Sequence, residues 1–182
     1  MRNFISEDDI EQVILEKLKT EPFKYDILIC DADPSKRDDL NDGTGRASKK
    51  ECVLPGVMLS SLKRINPTIE EDKIKEIVKT LRQDYSGTDI VDTNYKLYRQ
   101  IRNNKKITVR RNGKEDFDFV KLIDFESPEN NTFTAVSQMW IQGKVYYRRP
   151  DILIFINGMP LVFIELKNSI VKVEEAYNKN LK

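Results

Sequence analysis

Three side chains late in the chain are of types that do chemistry together: Asp151, directly after Pro150, and Glu165 and Lys167, two residues apart. They border two apolar runs, Asp151 to Ile156 and Leu161 to Lys167, joined through Asn157-Gly158, a dipeptide that favours a tight β-turn. If the three converge, two carboxylates can hold a hard divalent ion. An ammonium beside them can position or deprotonate a water and steady the charge of a phosphorane-like centre. An isolated Asp…Glu-x-Lys also recurs by chance, and Glu165 and Lys167 then read as a strand-end pair meeting solvent.

Convergence depends on the parity of the hairpin. Glu165 and Lys167 share a face of their strand because side chains alternate. A plain two-residue Asn-Gly loop pairs Asp151 with Ile164 and sends Glu165 to the other face, whereas an odd loop or a bulge puts Asp151 and Glu165 together. Gly158 suits a left-handed residue in a three-residue loop or a bulge, and Pro160 cannot donate to the ladder, so odd parity is open. Both apolar runs are continuous rather than alternating, which predicts central strands buried on both faces, with Glu165 inside the core. An ionised carboxylate there costs several kcal/mol, roughly, unless a cation or hydrogen bonds compensate it.

The elements that must position these residues can be read along the chain. Ser6 with Glu7, Asp8 and Asp9 is a capping-box start, and Ile10, Val13, Ile14 and Leu18 make one apolar face, predicting a helix over Ser6 to Lys19. Tyr25 to Cys30 is a short strand, and the polar stretch Asp31 to Glu51 reads as a mobile surface loop. Cys52 to Ile65 and Ile69 to Tyr85 carry helical spacing, broken at Asn66-Pro67, with a third helical piece at Asn94 to Arg102. Ile107 to Arg111, the turn Asn112-Gly113 and Phe117 to Phe125 read as a hairpin. Thr132 to Ile141, Val145 to Arg148 and the two runs above then form a β-meander. A helix begins at Ile170, with Val171, Val173, Ala176 and Tyr177 as core contacts.

Composition excludes several chemistries. The 182-residue chain contains no histidine, which removes His-dependent hydrolysis and His-ligated zinc. Its 31 Lys+Arg against 30 Asp+Glu leave a net charge of +1, so any basic surface is local. Cys30 and Cys52 have no CxxC spacing, and Gly43-Thr44-Gly45-Arg46 lacks the spacing of a phosphate loop. The N-terminus lacks the apolar run of a signal peptide, and no segment approaches the length of a membrane span, so the expectation is a cytoplasmic protein with no membrane association.

Taken together, Pro150-Asp151 and Glu165-Leu166-Lys167 resemble the PD-(D/E)xK nuclease superfamily, and more closely the N-terminal nuclease domain of type I restriction enzyme R subunits. The surrounding text resembles that family too: Val120-Lys121-Leu122-Ile123-Asp124-Phe125, Pro128-Glu129-Asn130-Asn131, and the run from Arg148 to Asn168. The resemblance implies an α/β restriction-endonuclease-like fold, with a mixed central sheet flanked by helices and a helical insert over about 52–102. It implies a single domain over 1–182 that is the N-terminal part of a longer chain.

The activity implied is Mg²⁺-dependent hydrolysis of double-stranded DNA, with Asp151 and Glu165 as metal ligands and Lys167 serving the attacking water. Glu11 is the candidate for the carboxylate that such enzymes often add from the first helix; its plain reading is an exposed helix residue. ATP would enter only through a motor domain not present in this chain, and the partners would be methyltransferase and specificity subunits. In the family's QxxxY motif, the Gln position aligns with Lys179 here and the Tyr falls beyond residue 182.

Arg148 and Arg149, adjacent to Asp151, are candidate DNA contacts, as are Lys105, Lys106, Arg110 and Arg111 around one hairpin; charged pairs at hairpin ends are usually only solvated. Trp140, Tyr146 and Tyr147 could stack on bases but read more simply as packing. Two alternatives stand beside this reading: a non-catalytic DNA or subunit docking module with the same shape, and an autonomous repair nuclease of the superfamily.

Overall fold

The computed structural model describes residues 6–83 and 89–167. The C-terminal helix expected from Ile170, and Lys179 with it, lie outside the described residues. A first helix, α1 (Glu7–Lys19), opens with the expected capping box: Ser6 Oγ accepts from the Asp9 N–H at 3.1 Å, and Asp9 accepts from the Ser6 N–H at 3.0 Å. Its buried face differs from the predicted one. Val13 is exposed, whereas Glu11 and Leu15 are buried, with Ile14 and Leu18 packed beside them.

The strands β1 (Asp26–Ile29), β4 (Phe133–Ser137), β7 (Ile152–Ile156) and β8 (Met159–Ile164) form a sheet in the order β1-β4-β7-β8. β1 runs parallel to β4, and the other neighbours are antiparallel, so the sheet is mixed, as expected. α1 covers one face, where Leu15 meets Ala135 and Ile152. On the other face Leu54 and Val57 pack against Val136, Leu153 and Phe155. Only one of the two apolar runs is central. β7 lies between β4 and β8, while β8 is an edge strand among the described residues and leaves Leu161, Val162 and Phe163 exposed. A continuous apolar run is compatible with two buried faces but does not require them.

Three helices, α2 (Pro55–Ile65), α3 (Glu71–Leu81) and α4 (Ile90–Asn103), follow the first strand. α4 starts earlier than its spacing suggests because the Asp89 carboxylate caps it at the Asp92 N–H, 2.8 Å away. α2 and α3 bury Met58, Leu62, Ile74 and Ile77 against Val120, Leu122 and Met159. Each such side chain contributes about 1.5–3 kcal/mol of burial. The hairpin β2 (Lys105–Arg111) and β3 (Lys114–Val120) turns at Asn112-Gly113 as expected, but β3 ends at Val120 and not at Phe125. β5 (Ile141–Gln142) and β6 (Tyr147–Arg148) form a small separate ladder.

The stretch from Asp31 to Glu51 is not the mobile loop its composition suggests. It folds around a buried ion cluster in which Asp42 Oδ2 accepts from Lys49 Nζ at 2.6 Å and Arg46 Nη2 at 2.8 Å. Arg46 also donates to the Trp140 carbonyl at 3.0 Å, tying the loop to the segment after β4. Among the described residues no helix is long and apolar enough to cross a membrane.

Candidate functional site

The β7–β8 hairpin answers the parity question. Ile156 pairs with Met159, so Asn157-Gly158 is a two-residue loop, with both residues at positive φ (51° and 77°). The register then shifts: Phe155 pairs with Pro160 but Ile154 with Val162, which leaves Leu161 as a bulge. Beyond the bulge Ile152 faces Ile164, and the next position outward on each strand is Asp151 and Glu165. The odd parity comes from a bulge beside Pro160, not from a longer loop.

The turn is held from within. The Asn157 side chain is fully buried, donating to the Leu122 carbonyl at 2.9 Å and accepting from the Thr132 N–H at 2.8 Å. Gly158 lies against the start of α2, where its carbonyl accepts from the Leu54 N–H at 2.9 Å. A Cβ on Gly158 would stand 2.6 Å from the Leu54 oxygen.

At the open end of the hairpin, Asp151 Oδ2 accepts from the Leu166 N–H at 2.6 Å, locking the two strand ends together. Lys167 Nζ lies 3.5 Å from Glu165 Oε1 and 3.4 Å from Glu7 Oε2 on α1. Burial alone pulls the Lys167 pKa down, but the hydrogen bond to Glu7 and the charges of Glu7, Glu165 and Asp151 outweigh it, so its pKa is raised above the ordinary lysine value.

Glu11 is 5% exposed and projects from α1 to the end of β4. It accepts from Ser137 Oγ and, at 2.6 Å, from Gln138 Nε2. The same Gln138 Nε2 lies 3.4 Å from Asp151 Oδ1. The plain reading of Glu11 as an exposed helix residue is therefore overturned. Sequence reasoning missed Glu7, Ser137 and Gln138. Glu7 and Glu11 stand one helical turn apart, a signal that was present, whereas nothing in the sequence marks Gln138.

Convergence is incomplete: among the described residues no group of three or more acidic or cysteine side chains is close enough to hold an ion. Glu11 and Asp151 are bridged by an amide, and Glu165 by an ammonium. The donor chemistry nonetheless suits a hard cation, since carboxylate oxygens dominate and the buried Gln138 Oε1 has no hydrogen-bond partner among the described residues.

The candidate DNA contacts are partly engaged elsewhere. Arg149 donates to the Ala32 carbonyl and lies 5.1 Å from the Trp140 ring centre, and Arg148 lies 5.5 Å from that of Tyr146. In the β2–β3 hairpin, Arg111 is neutralised by Asp116 and Asp118, each at 2.7 Å. Lys105 donates to Gln100, and Lys106 covers the Phe117 ring. Trp140 and Tyr147 bond to Asp31 and Asp38 of the folded loop.

Comparison with known proteins agrees with the family that the sequence resembles. The family described as the type I restriction enzyme R protein N terminus matches residues 4–182. The type I restriction enzyme HindI endonuclease subunit of Haemophilus influenzae is 31% identical over 166 residues, covering 90% of this chain and 15% of that protein. A type I restriction enzyme endonuclease subunit of Staphylococcus aureus is 32% identical over 74 residues, 41% of this chain and 8% of that protein. The chain thus spans only a small fraction of the length of these relatives. With a match over nearly its whole length, the chain belongs to the type I restriction enzyme R protein N-terminal family.

Proposed function

We propose that the chain is the metal-dependent DNA endonuclease domain of a type I restriction R subunit, with a PD-(D/E)xK fold, acting in the cytoplasm with methyltransferase and specificity subunits. The observation that carries this reading is the Leu161 bulge, which makes Asp151 and Glu165 the facing positions just beyond the Ile152–Ile164 pair at one hairpin end. Family membership supports it, as does the arrival of Glu11 beside Asp151 through Gln138.

In this mechanism Asp151, Glu165 and Glu11 would hold Mg²⁺. The bound ion would supply Lewis acidity toward the scissile phosphate and lower the pKa of a water. The chain's own residues do the rest. The Leu166 N–H fixes the Asp151 carboxylate, and Ser137 fixes that of Glu11. Lys167, held as an ammonium by its acidic neighbours, orients the water and offsets charge developing on the phosphate oxygens. Arg148 and Arg149 are proposed to contact double-stranded DNA beside Asp151. No observation among the described residues favours the docking-module or autonomous-nuclease alternatives.

The test is a calorimetric Mg²⁺ and Mn²⁺ titration of the chain and of Asp151→Ala and Glu165→Ala, with folding followed by circular dichroism. Loss of binding by at least about tenfold in both folded variants is expected. Unchanged affinity in either variant, or no binding by the wild-type chain at millimolar metal, would sink the assignment.

A further inference from the structure

Gln138 is placed in an unusual way. β4 ends at Ser137, and Gln138 then adopts φ 57°, a left-handed conformation uncommon for a residue other than Gly, Asn or Asp. Along a strand, consecutive side chains point to opposite faces. The left-handed step cancels that alternation, so Ser137 and Gln138 both reach the Glu11 carboxylate. The backbone is pinned there by the Gln138 N–H, which donates to the Asp151 carbonyl at 2.9 Å.

The side-chain amide then does two things at once. Its Nε2 lies between two carboxylates, 2.6 Å from Glu11 Oε2 and 3.4 Å from Asp151 Oδ1. Its Oε1 is buried without a hydrogen-bond partner among the described residues. Buried carbonyl oxygens are nearly always satisfied, so the amide in this orientation lacks one partner, which its oxygen gains when it is turned toward a cation. Nitrogen and oxygen exchange positions when an amide rotates half a turn about its last bond, which swaps a donor for an acceptor with no backbone movement.

Resting on the reading of Glu11 and Asp151 as metal ligands, we infer that Gln138 is a further, neutral oxygen ligand of that site. With a cation bound, Glu11 and Asp151 would hold it, and Oε1 of the rotated Gln138 amide would add a neutral oxygen in place of the N–H bridge. Hard divalent ions accept amide carbonyls alongside carboxylates, and a neutral ligand keeps the site from gathering a fourth negative charge.

The test is Mn²⁺ titration by calorimetry of wild type, Gln138→Leu, Gln138→Glu and Asp151→Asn, with thermal melts in chelator to register any purely structural role. Gln138→Leu is expected to weaken Mn²⁺ binding by about 10–100-fold. Gln138→Glu is expected to bind at least as tightly as wild type yet to melt lower in chelator, because a carboxylate replaces the bridging amide. Wild-type or tighter binding by Gln138→Leu, with binding still lost in Asp151→Asn, overturns the role of Gln138 alone. If Gln138→Leu fails to fold, the near-isosteric Gln138→Glu decides, and weaker binding than wild type overturns the inference. No Mn²⁺ binding by wild type removes the underlying metal site and this ligand with it.

Discussion

Asp42 neutralises two cations that water barely reaches: the Arg46 and Lys49 side chains are 0% and 4% exposed, and that of Asp42 is 7% exposed. Asp42→Asn keeps the shape but turns an amide nitrogen toward one or more donors and leaves both positive charges in the interior. Breaking a buried pair in this way costs about 3–5 kcal/mol. For a chain of this size each kcal/mol moves the melting temperature by about 2–4 °C, so a fall of about 6–20 °C is expected. Scanning calorimetry at about pH 7 measures it, and limited trypsin digestion should show earlier cleavage between Arg37 and Lys50 as the loop loosens.

The pH dependence supplies a second check. Burial pushes the Asp42 carboxyl up, but hydrogen bonds from Lys49, Thr44 and Arg46 prevail and hold it well below the usual carboxylate range. In the unfolded chain it titrates near its ordinary value of about 3.9. The stabilisation is therefore full above that value and drains away as pH falls toward the lower folded-state pKa. The gap between wild type and Asp42→Asn should narrow below about pH 4. A melting difference under about 2 °C near neutrality, or one that stays constant down to about pH 3, would refute the argument.

Two further substitutions separate contact from conformation at the turns. Gly158→Ala places a Cβ 2.6 Å from the Leu54 oxygen and 2.7 Å from the Met58 nitrogen at φ 77°, so a loss of about 2–4 kcal/mol in denaturant melts is expected. Gly113→Ala shares that φ but meets nothing within 4 Å, so it should cost only about 1 kcal/mol; equal losses would show that backbone strain, not the approach of α2, dominates. Deleting the bulged Leu161 removes the register shift and turns Glu165 away from its place opposite Asp151. Because Leu161 is exposed, the fold should survive while Mn²⁺ affinity falls at least about tenfold. A folded deletion variant with wild-type affinity would show that hairpin parity is irrelevant to the site.

Much of the fold was legible because local signals and packing agree: the Ser6 capping box, both Asn-Gly turns and the helical periodicity of α2 and α3 all appear where expected. The Leu161 bulge was open beforehand, since it depends on how Pro160 is accommodated in the ladder. The loop around Asp42 was misread because periodicity counts apolar residues, and a segment ordered by a buried charge cluster looks like one that is not ordered at all. Glu11 is spaced four and seven residues before Leu15 and Leu18, so a helical wheel carried its burial, but its acidity argued for solvent. Gln138 owes its position to a left-handed turn at a strand end, a feature with no signature in residue type.

Glu11 and the Ser137 hydroxyl that fixes it are separated by 126 residues. At roughly 5–20 residues per second of synthesis, the first helix waits about 6–25 s on the ribosome before the strand that receives its carboxylate has been made. Closing so long a segment contributes nothing until α1 docks, so the acidic site belongs to the last contacts of folding rather than to a local nucleus. Any shorter nascent chain carries Glu11 as an ordinary hydrated carboxylate. An acidic cluster assembled this way stays unformed until β4 and the hairpin beside it exist to receive the first helix.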